Sequence, residues 1–371
     1  MSQHLSAKTK MTTSKNDMMV TAGVDTHKDT HTAAALDCNG LLLGVAEFPA
    51  TAVGDRRLFR WLGAFGPLDC IGVEGTGSYG GGLNRFFQTM AVRVVEVNRP
   101  NHQRRRRLGK SDSVNAEAAA RADLSCQAFG TPKSQDGQVE SIRLLRSERR
   151  SAIKARTQAA NQIHAEISTA PEILRQRFRG MTLLAIVKSA AALRVAVDQD
   201  ATLCQTVRYV LRGLSRRWRY LDEEIGRIDK IIAPLVQALA PDLLDQTGVG
   251  VEVAGARLVA VGDNPDRLKN EASFAALCGA SPVDASSGRQ HRHRLNRGGN
   301  RDANRALWVI AFCRMRCDAR TKEYAQKRTQ EGLSRIEILR CLKRYIAREV
   351  YKILLSSAAT REQESPARQA S

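Results

Sequence analysis

Short apolar runs and period-2 alternation over Val20 to Asp25, His31 to Asp37 and Leu42 to Glu47 predict three strands, the last two joined by a turn at Cys38-Asn39-Gly40. The spacing of Leu58, Phe59, Trp61 and Leu62 then predicts a helix over Arg56 to Phe65. A strand ending at Glu74, a helix near Gly82 to Met90 and a strand over Arg93 to Val97 follow. The alanine-rich stretch Ser113 to Leu124 reads as a helix with Asp112 at its N-terminus, where the helix dipole favours an anion. From about Gln138 the pattern lengthens: Ser141 to Ser168 and Thr202 to Leu239 are the longest predicted helices, punctuated by Thr169-Ala170-Pro171 and Ala240-Pro241. Beyond a basic, glycine-containing segment from Pro282 to Asn304, helices are predicted over Arg305 to Arg316 and Ile336 to Leu355.

Three strands followed by alternating helix and strand is the order of a ribonuclease-H-like, or RuvC-like, domain. The fold class read from the pattern is therefore α/β plus α: a RuvC-like domain over 19–132 behind a disordered N-terminus (1–18), a helical linker over 133–240, a mainly helical domain over 241–355 and a disordered tail (356–371). The linker reads as an antiparallel helical arm or coiled coil of the kind that dimerises, or as an intramolecular spacer. Within 241–355, Thr247-Gly248-Val249-Gly250 leads into a helix through Leu258. It is similar to a helix-hairpin-helix element, in which Gly248 and Gly250 would offer backbone N–H groups to phosphate. An ordinary glycine turn between helices is the alternative.

Three acids fall where this fold brings them together: Asp25 ends the first strand, Glu74 ends the β-branched run Ile71-Gly72-Val73, and Asp112 opens its helix. Carboxylates this close repel by about 4 kcal/mol per pair at ~4 Å with an effective dielectric near ~20, so their gathering makes sense around bound Mg²⁺. Asn115, one turn after Asp112, shares its helix face and can reach the same centre. The chemistry expected is metal-dependent phosphoryl transfer on nucleic acid.

Charge supports that partner. The 371 residues include 58 Lys and Arg against 38 Asp and Glu, a formal charge of +20, and 43% of them are hydrophobic, enough for real cores. A polyanionic ligand is the simplest explanation. The eight cysteines are scattered without Cys-x-x-Cys pairs, which fits reduced thiols of a cytoplasmic protein better than zinc ligands. No apolar stretch reaches the ~18 residues of a membrane span.

Gly23-Val24-Asp25-Thr26-His27-Lys28, Val73-Glu74-Gly75-Thr76-Gly77 and Lys110-Ser111-Asp112 with Asn115-Ala116 resemble the catalytic half of the insertion-sequence-110 family of DEDD transposases, relatives of the Piv-type DNA invertases. Ala280-Ser281-Pro282, Ser286-Ser287-Gly288 and His293 to Arg301 are similar to that family's C-terminal transposase domain, so the resemblance spans about Val20 to Leu355. It implies a RuvC-like domain and a serine-bearing domain that complete one active site together, across a homodimer or tetramer. It also implies DNA partners, both element ends and target, a guide RNA from the same element, and a bacterial, nucleoid-associated location. Carried over, Asp25, Glu74 and Asp112 are the first three acids of an Mg²⁺ site. Asn115 stands where the family has its fourth acid; an amide oxygen can ligate Mg²⁺ but removes one negative charge. Ser287 corresponds to the family's nucleophile, forming a transient phosphoserine link to a DNA end.

Other residues are weighed on chemistry alone. His27 and His31 are four apart but straddle a strand end and a turn, which argues against zinc. Arg104, Arg105, Arg106 and Arg107, leading into Lys110 and Asp112, are expected to contact phosphate beside the active site rather than form a merely solvated loop. Arg292, Arg294 and Arg297, with His291 and His293, form a second basic patch suited to nucleic-acid backbone. Tyr79 lacks the Arg-His-Arg framework of tyrosine recombinases. An ATP-binding kinase of the actin type would need a second phosphate hairpin, and ATP leaves the charge unexplained. A RuvC-like structure-specific nuclease shares the metal site but not the serine domain, and a binding protein inactivated by Asn115 is the remaining alternative.

Overall fold

The computed structural model describes residues 19–97, 111–125, 130–195, 202–289 and 293–368, with side chains to Ser357; the N-terminal 1–18 segment lies outside them. The chain forms two compact units, one of residues 1–137 with 262–269, the other of 138–261 with 270–371.

In the first unit, β1 (Val20–Thr26), β2 (Thr30–Leu36), β3 (Leu42–Pro49), β4 (Leu68–Glu74) and β5 (Arg93–Val97) form a five-stranded sheet in the order β3-β2-β1-β4-β5. β1 is antiparallel to β2 and parallel to β4, and β4 is parallel to β5. Alternation along the strands separates two faces. Ala22 and Val24 of β1, with Ile71 and Val73 of β4, pack against Leu58 and Leu62 of α1 (Ala52–Gly63) and Leu83 and Phe87 of α2 (Gly81–Thr89). The opposite face carries Thr21, Gly23 and Asp25 on β1 and Cys70, Gly72 and Glu74 on β4, and it receives α3 (Asp112–Leu124).

α3 lies unusually close to the sheet because the residues between them are small. A Cβ on Gly23 would stand 2.1 Å from the Ala120 backbone nitrogen, and one on Gly72 2.8 Å from the Ala119 carbonyl oxygen. Asn115, Ala116, Ala119, Ala120 and Asp123 form the buried face of the helix. That contact fixes the register of α3 and brings its N-terminus to the C-terminal end of β1.

Gly262–Lys269 returns to this unit. Asn264 accepts from the Ser134 N–H and donates to the Pro132 carbonyl, while Arg267 donates to the Thr131 carbonyl at 2.9 Å and faces Glu96. No local sequence pattern signals this return.

In the second unit, α4 (Gln138–Thr169) and α7 (Leu203–Leu239) form a long antiparallel pair. Arg149 pairs with Asp229 and Arg156 with Asp222 along it, and the Arg156 guanidinium lies 5.6 Å from the Trp218 ring centre. Ile163, Leu211 and Trp218 share a core with α5 (Glu172–Phe178) and α6 (Leu183–Ala191). A capping box between Thr202 and Gln205 starts α7, and α8 (Pro241–Leu244) follows it. α9 (Val251–Val261), α10 (Glu271–Leu277), α11 (Arg301–Cys317), α12 (Ala319–Gln330) and α13 (Arg335–Arg368) make up the rest, with the short hairpin β6 (Val283–Asp284) and β7 (His293–Arg294) between α10 and α11.

The last helix does not stop at Leu355, where the pattern predicts its end. α13 runs to Arg368. Ser356 and Ser357 do not break it: the Ser356 hydroxyl back-bonds to the Ile353 carbonyl, and the Ser357 hydroxyl reaches the Asp242 carboxylate at 3.1 Å. Among the described residues no helix is long and apolar enough to cross a membrane, and the described cysteines are free.

Candidate active site

Asp25 is one residue from the end of β1 and only 5% exposed, with its side chain on the α3 face. α3 begins at Asp112, capped by the Ser111 hydroxyl, which accepts from the Val114 N–H. One turn later, buried Asn115 donates from Nδ2 to Asp25 Oδ2 at 2.8 Å. His27 completes the group. Its Nε2 lies 3.6 Å from Asp25 Oδ2 and 3.2 Å from Asp112 Oδ1. Ligand atoms of Asp25, His27 and Asp112 all fall within 4.8 Å of one another, the one such group of three among the described residues. Two carboxylates and an imidazole around one centre are a donor set suited to a divalent cation.

His27 is the residue that sequence reasoning set aside. The signal for it was the strand period: two residues after Asp25, it projects to the same side. His31 lies outside the group, in β2, where burial pushes its imidazole below the usual range and its Nδ1 meets no hydrogen-bond partner among the described residues.

Glu74 occupies the equivalent place on the neighbouring strand. Gly23 pairs with Gly72 and Val24 with Val73, so Glu74 ends β4 level with Asp25 and on the same face of the sheet. The Thr26 hydroxyl donates to the Glu74 carbonyl at 2.8 Å, and Gly75, at φ +74°, turns the chain away immediately after it. The half-buried Glu74 carboxylate is not among the three groups within 4.8 Å. Behind the turn, buried Thr76 donates to Glu96 at 2.9 Å.

Two family models match this chain. A DEDD transposase model, described as Transposase, covers residues 22–170, and a model described as Transposase IS116/IS110/IS902 family covers residues 241–326. The chain belongs to the IS110 family of transposases. It is also similar to the Insertion element IS110 uncharacterized 43.6 kDa protein of Streptomyces coelicolor, with 31% identity over 137 residues, which is 36% of this chain and 34% of the relative. The matched stretch thus spans about a third of the curated relative. The first family model takes in Asp25, Glu74, Asp112 and Asn115; the second takes in Gly248, Gly250, Ser287, Arg294 and Arg297.

In this IS110-family chain, Ser287 is exposed on the β6–β7 hairpin. The neighbouring Asp284 carboxylate accepts from the Ser286 N–H at 2.8 Å, and the Ser286 hydrogen bonds hold Asp284 below the usual carboxylate range. Arg294 ends β7 and Arg297 follows it, both exposed. Gly248 adopts φ +84° against Cys313 and Ile310 of α11, while Gly250 immediately precedes α9 with open space where a Cβ would be. Arg314 donates to the Thr247 carbonyl at 3.0 Å, bracing the same turn. Arg104, Arg105, Arg106, Arg107, Lys110, His291 and Arg292 lie outside the described residues.

Proposed function

We propose that this chain is a transposase that cleaves and rejoins DNA strands by Mg²⁺-assisted phosphoryl transfer, with Asp25, Glu74 and Asp112 as the carboxylates of the metal site. The observation that carries the reading is the meeting of buried Asp25 with Asp112 and His27 at the junction of β1 and α3. Sheet order β3-β2-β1-β4-β5 with α3 packed beside β1 supports a ribonuclease-H-like domain.

Asp25, Asp112 and His27 would hold the cation, with Glu74 closing the site from β4. When bound, Mg²⁺ supplies a Lewis acid for the non-bridging phosphoryl oxygens. Asn115 keeps the Asp25 carboxylate oriented through its 2.8 Å hydrogen bond. Ser287 is the proposed nucleophile. Attack of its Oγ on phosphorus forms a phosphoserine ester and breaks the bond to a sugar oxygen, which takes up the proton lost by the serine. Attack by a sugar hydroxyl on that ester then rejoins a strand and restores the serine. The phosphodiester energy is conserved throughout, so ATP is not required. An RNA guide from the same element and a homodimer or tetramer complete the reading, supported by the family match at residues 22–170 and 241–326.

Substituting Asp25 or Asp112 by Ala tests the assignment on labelled element-end DNA. Strand cleavage should fall by at least a hundredfold while the far-ultraviolet circular dichroism stays unchanged. Full Mg²⁺-dependent cleavage by Asp112→Ala would remove these carboxylates from the site.

A further inference from the structure

One stripe of α11 carries Arg301, Arg305, Trp308 and Phe312, residues four, three and four apart that stack along a single helix face. The stripe borders a groove of about 560 Å³ whose other cations are Arg297, Arg340 and Lys343 and whose lining contains no acidic residue. None of its four arginines has an ion-pair partner among the described residues, in contrast to Arg344 and Arg348 of α13, which both pair with Glu271. The floor is built rather than incidental. Lys343 is 8% exposed and donates to Asn304 Oδ1 at 3.0 Å, while the Asn304 amide donates to the carbonyls of Cys278 and Gly279. Burial, with help from Arg340, pushes the Lys343 ammonium below its usual range.

Trp308 gives the groove its second chemistry. The indole is 44% exposed, an unusual cost for so large an apolar ring. Its inner partner is Phe312, with ring centres 5.0 Å apart and planes within 13° of parallel, and the guanidinium groups of Arg316 and Arg335 lie over that phenyl ring at 5.9 and 5.7 Å. Cation, phenyl and indole thus make a rigid stack. Exposed Ile336 provides apolar surface along the same groove.

We propose that this groove binds an unpaired segment of DNA, with one base stacked on Trp308 and the adjoining phosphates on Arg297, Arg301, Arg305 and Arg340. A flat exposed ring beside an acid-free basic groove matches single strands, whose bases are free to stack, rather than duplex, whose bases are already stacked. The inference rests on the proposed action on DNA, because strand exchange must pass through unpaired ends.

The test is binding of a fluorescent oligothymidylate of about 12 nucleotides, within the range of single-strand site sizes, to the full chain by anisotropy. Trp308→Ala should weaken binding about tenfold, the loss of one stacked base, and Trp308→Phe should recover most of it. Arg301→Ala and Arg305→Ala should each make the salt dependence shallower by about 0.7 in the slope of log K against log salt. Strand cleavage by the wild type is read separately from oligothymidylate binding, which distinguishes failure of this site from failure of the proposed chemistry. Unchanged binding by Trp308→Ala, failure of Trp308→Phe to recover it, equal affinity for duplex of the same length, or tighter binding of the equivalent RNA would each overturn the assignment.

Discussion

The amide of Asn115 donates a 2.8 Å hydrogen bond to the carboxylate of Asp25, and both residues are buried. A carboxylate in its place would have no proton to give and would set a second negative charge against Asp25. The amide therefore relieves repulsion in the absence of metal, at the expense of one charge toward a bound cation. Asn115→Asp should lower the melting temperature in chelator, by about 2–4 °C for each kcal/mol of repulsion introduced into a domain of this size. Mg²⁺ should restore it by a larger increment than it gives the wild type. Asn115→Ala, which removes a hydrogen bond to a charged group, should cost about 1.5–3 kcal/mol and gain nothing extra from Mg²⁺. Thermal unfolding with and without the cation separates the three proteins.

Gly23 sets how closely α3 approaches the sheet, and therefore where Asp112 stands relative to Asp25. Its missing Cβ would meet backbone atoms of Ala116 and Ala120 at 2.2 and 2.1 Å, which side-chain rotation cannot relieve. Gly23→Ala is expected to destabilise the protein by about 1–3 kcal/mol or more and to impair cleavage beyond the loss of folded protein. Gly72→Ala, with a nearest contact of 2.8 Å, should be milder. Urea unfolding compared with cleavage per folded molecule tells displacement of α3 apart from simple instability.

The acids Asp25, Glu74 and Asp112 were legible in the sequence because each sits at the end of an element whose type the local pattern fixes. The order of strands and helices along the chain followed from the same alternation, whereas the order of the strands in the sheet is read from their pairing. His27 stands four residues before His31 in the sequence, but in the fold its partners are Asp25, two residues earlier in β1, and Asp112, which is far away in the chain. The hydrogen bond from Asn115 to Asp25 joins residues 90 apart and depends on the Gly23 contact, so no local window contains it. Gly262–Lys269 returns to the first unit through Asn264 and Arg267 for the same reason: its partners are loop carbonyls at Thr131 and Pro132. Trp308 falls within the helix predicted over Arg305 to Arg316, and its exposure is what sets it apart.

Stability should depend on pH through Asp123, at the far end of α3 from the metal site. Burial raises its carboxyl above the usual range, against opposing contributions from Cys70 and Arg93, and Oδ2 has no hydrogen-bond partner among the described residues. The Cys70 thiol beside it is itself pushed up by burial. Because the folded state favours the protonated acid, its contribution is fully present below the ordinary aspartate value of about 4 and is lost as pH rises through the raised folded value. Asp123→Asn keeps the neutral shape. It should flatten the fall in stability as pH climbs above about 4 and leave the variant more stable than wild type at neutral pH. Chemical unfolding at a series of pH values measures this, and an unchanged slope would mean that Asp123 is ionised in the fold.

Ser287 is distinguished from its neighbours by what surrounds it. Ser286 is tied to Asp284, while Ser287 stands exposed on the β6–β7 hairpin with Gly288 after it in the left-handed region. Simple hydrolysis would need only metal and water, so a serine role predicts a covalent link as well as a rate. Ser287→Ala is expected to fold and bind DNA as the wild type does, because the side chain carries no packing load, yet to lose recombination and any phosphoserine adduct. Ser286→Ala should retain both. Denaturing electrophoresis of labelled substrate detects the adduct, and mass spectrometry of the linked peptide assigns it. Normal recombination by Ser287→Ala, or an adduct on Tyr79 or Ser286, would require a different nucleophile, whereas loss of rejoining in Asp25→Ala together with a persistent adduct would place the metal after the serine step.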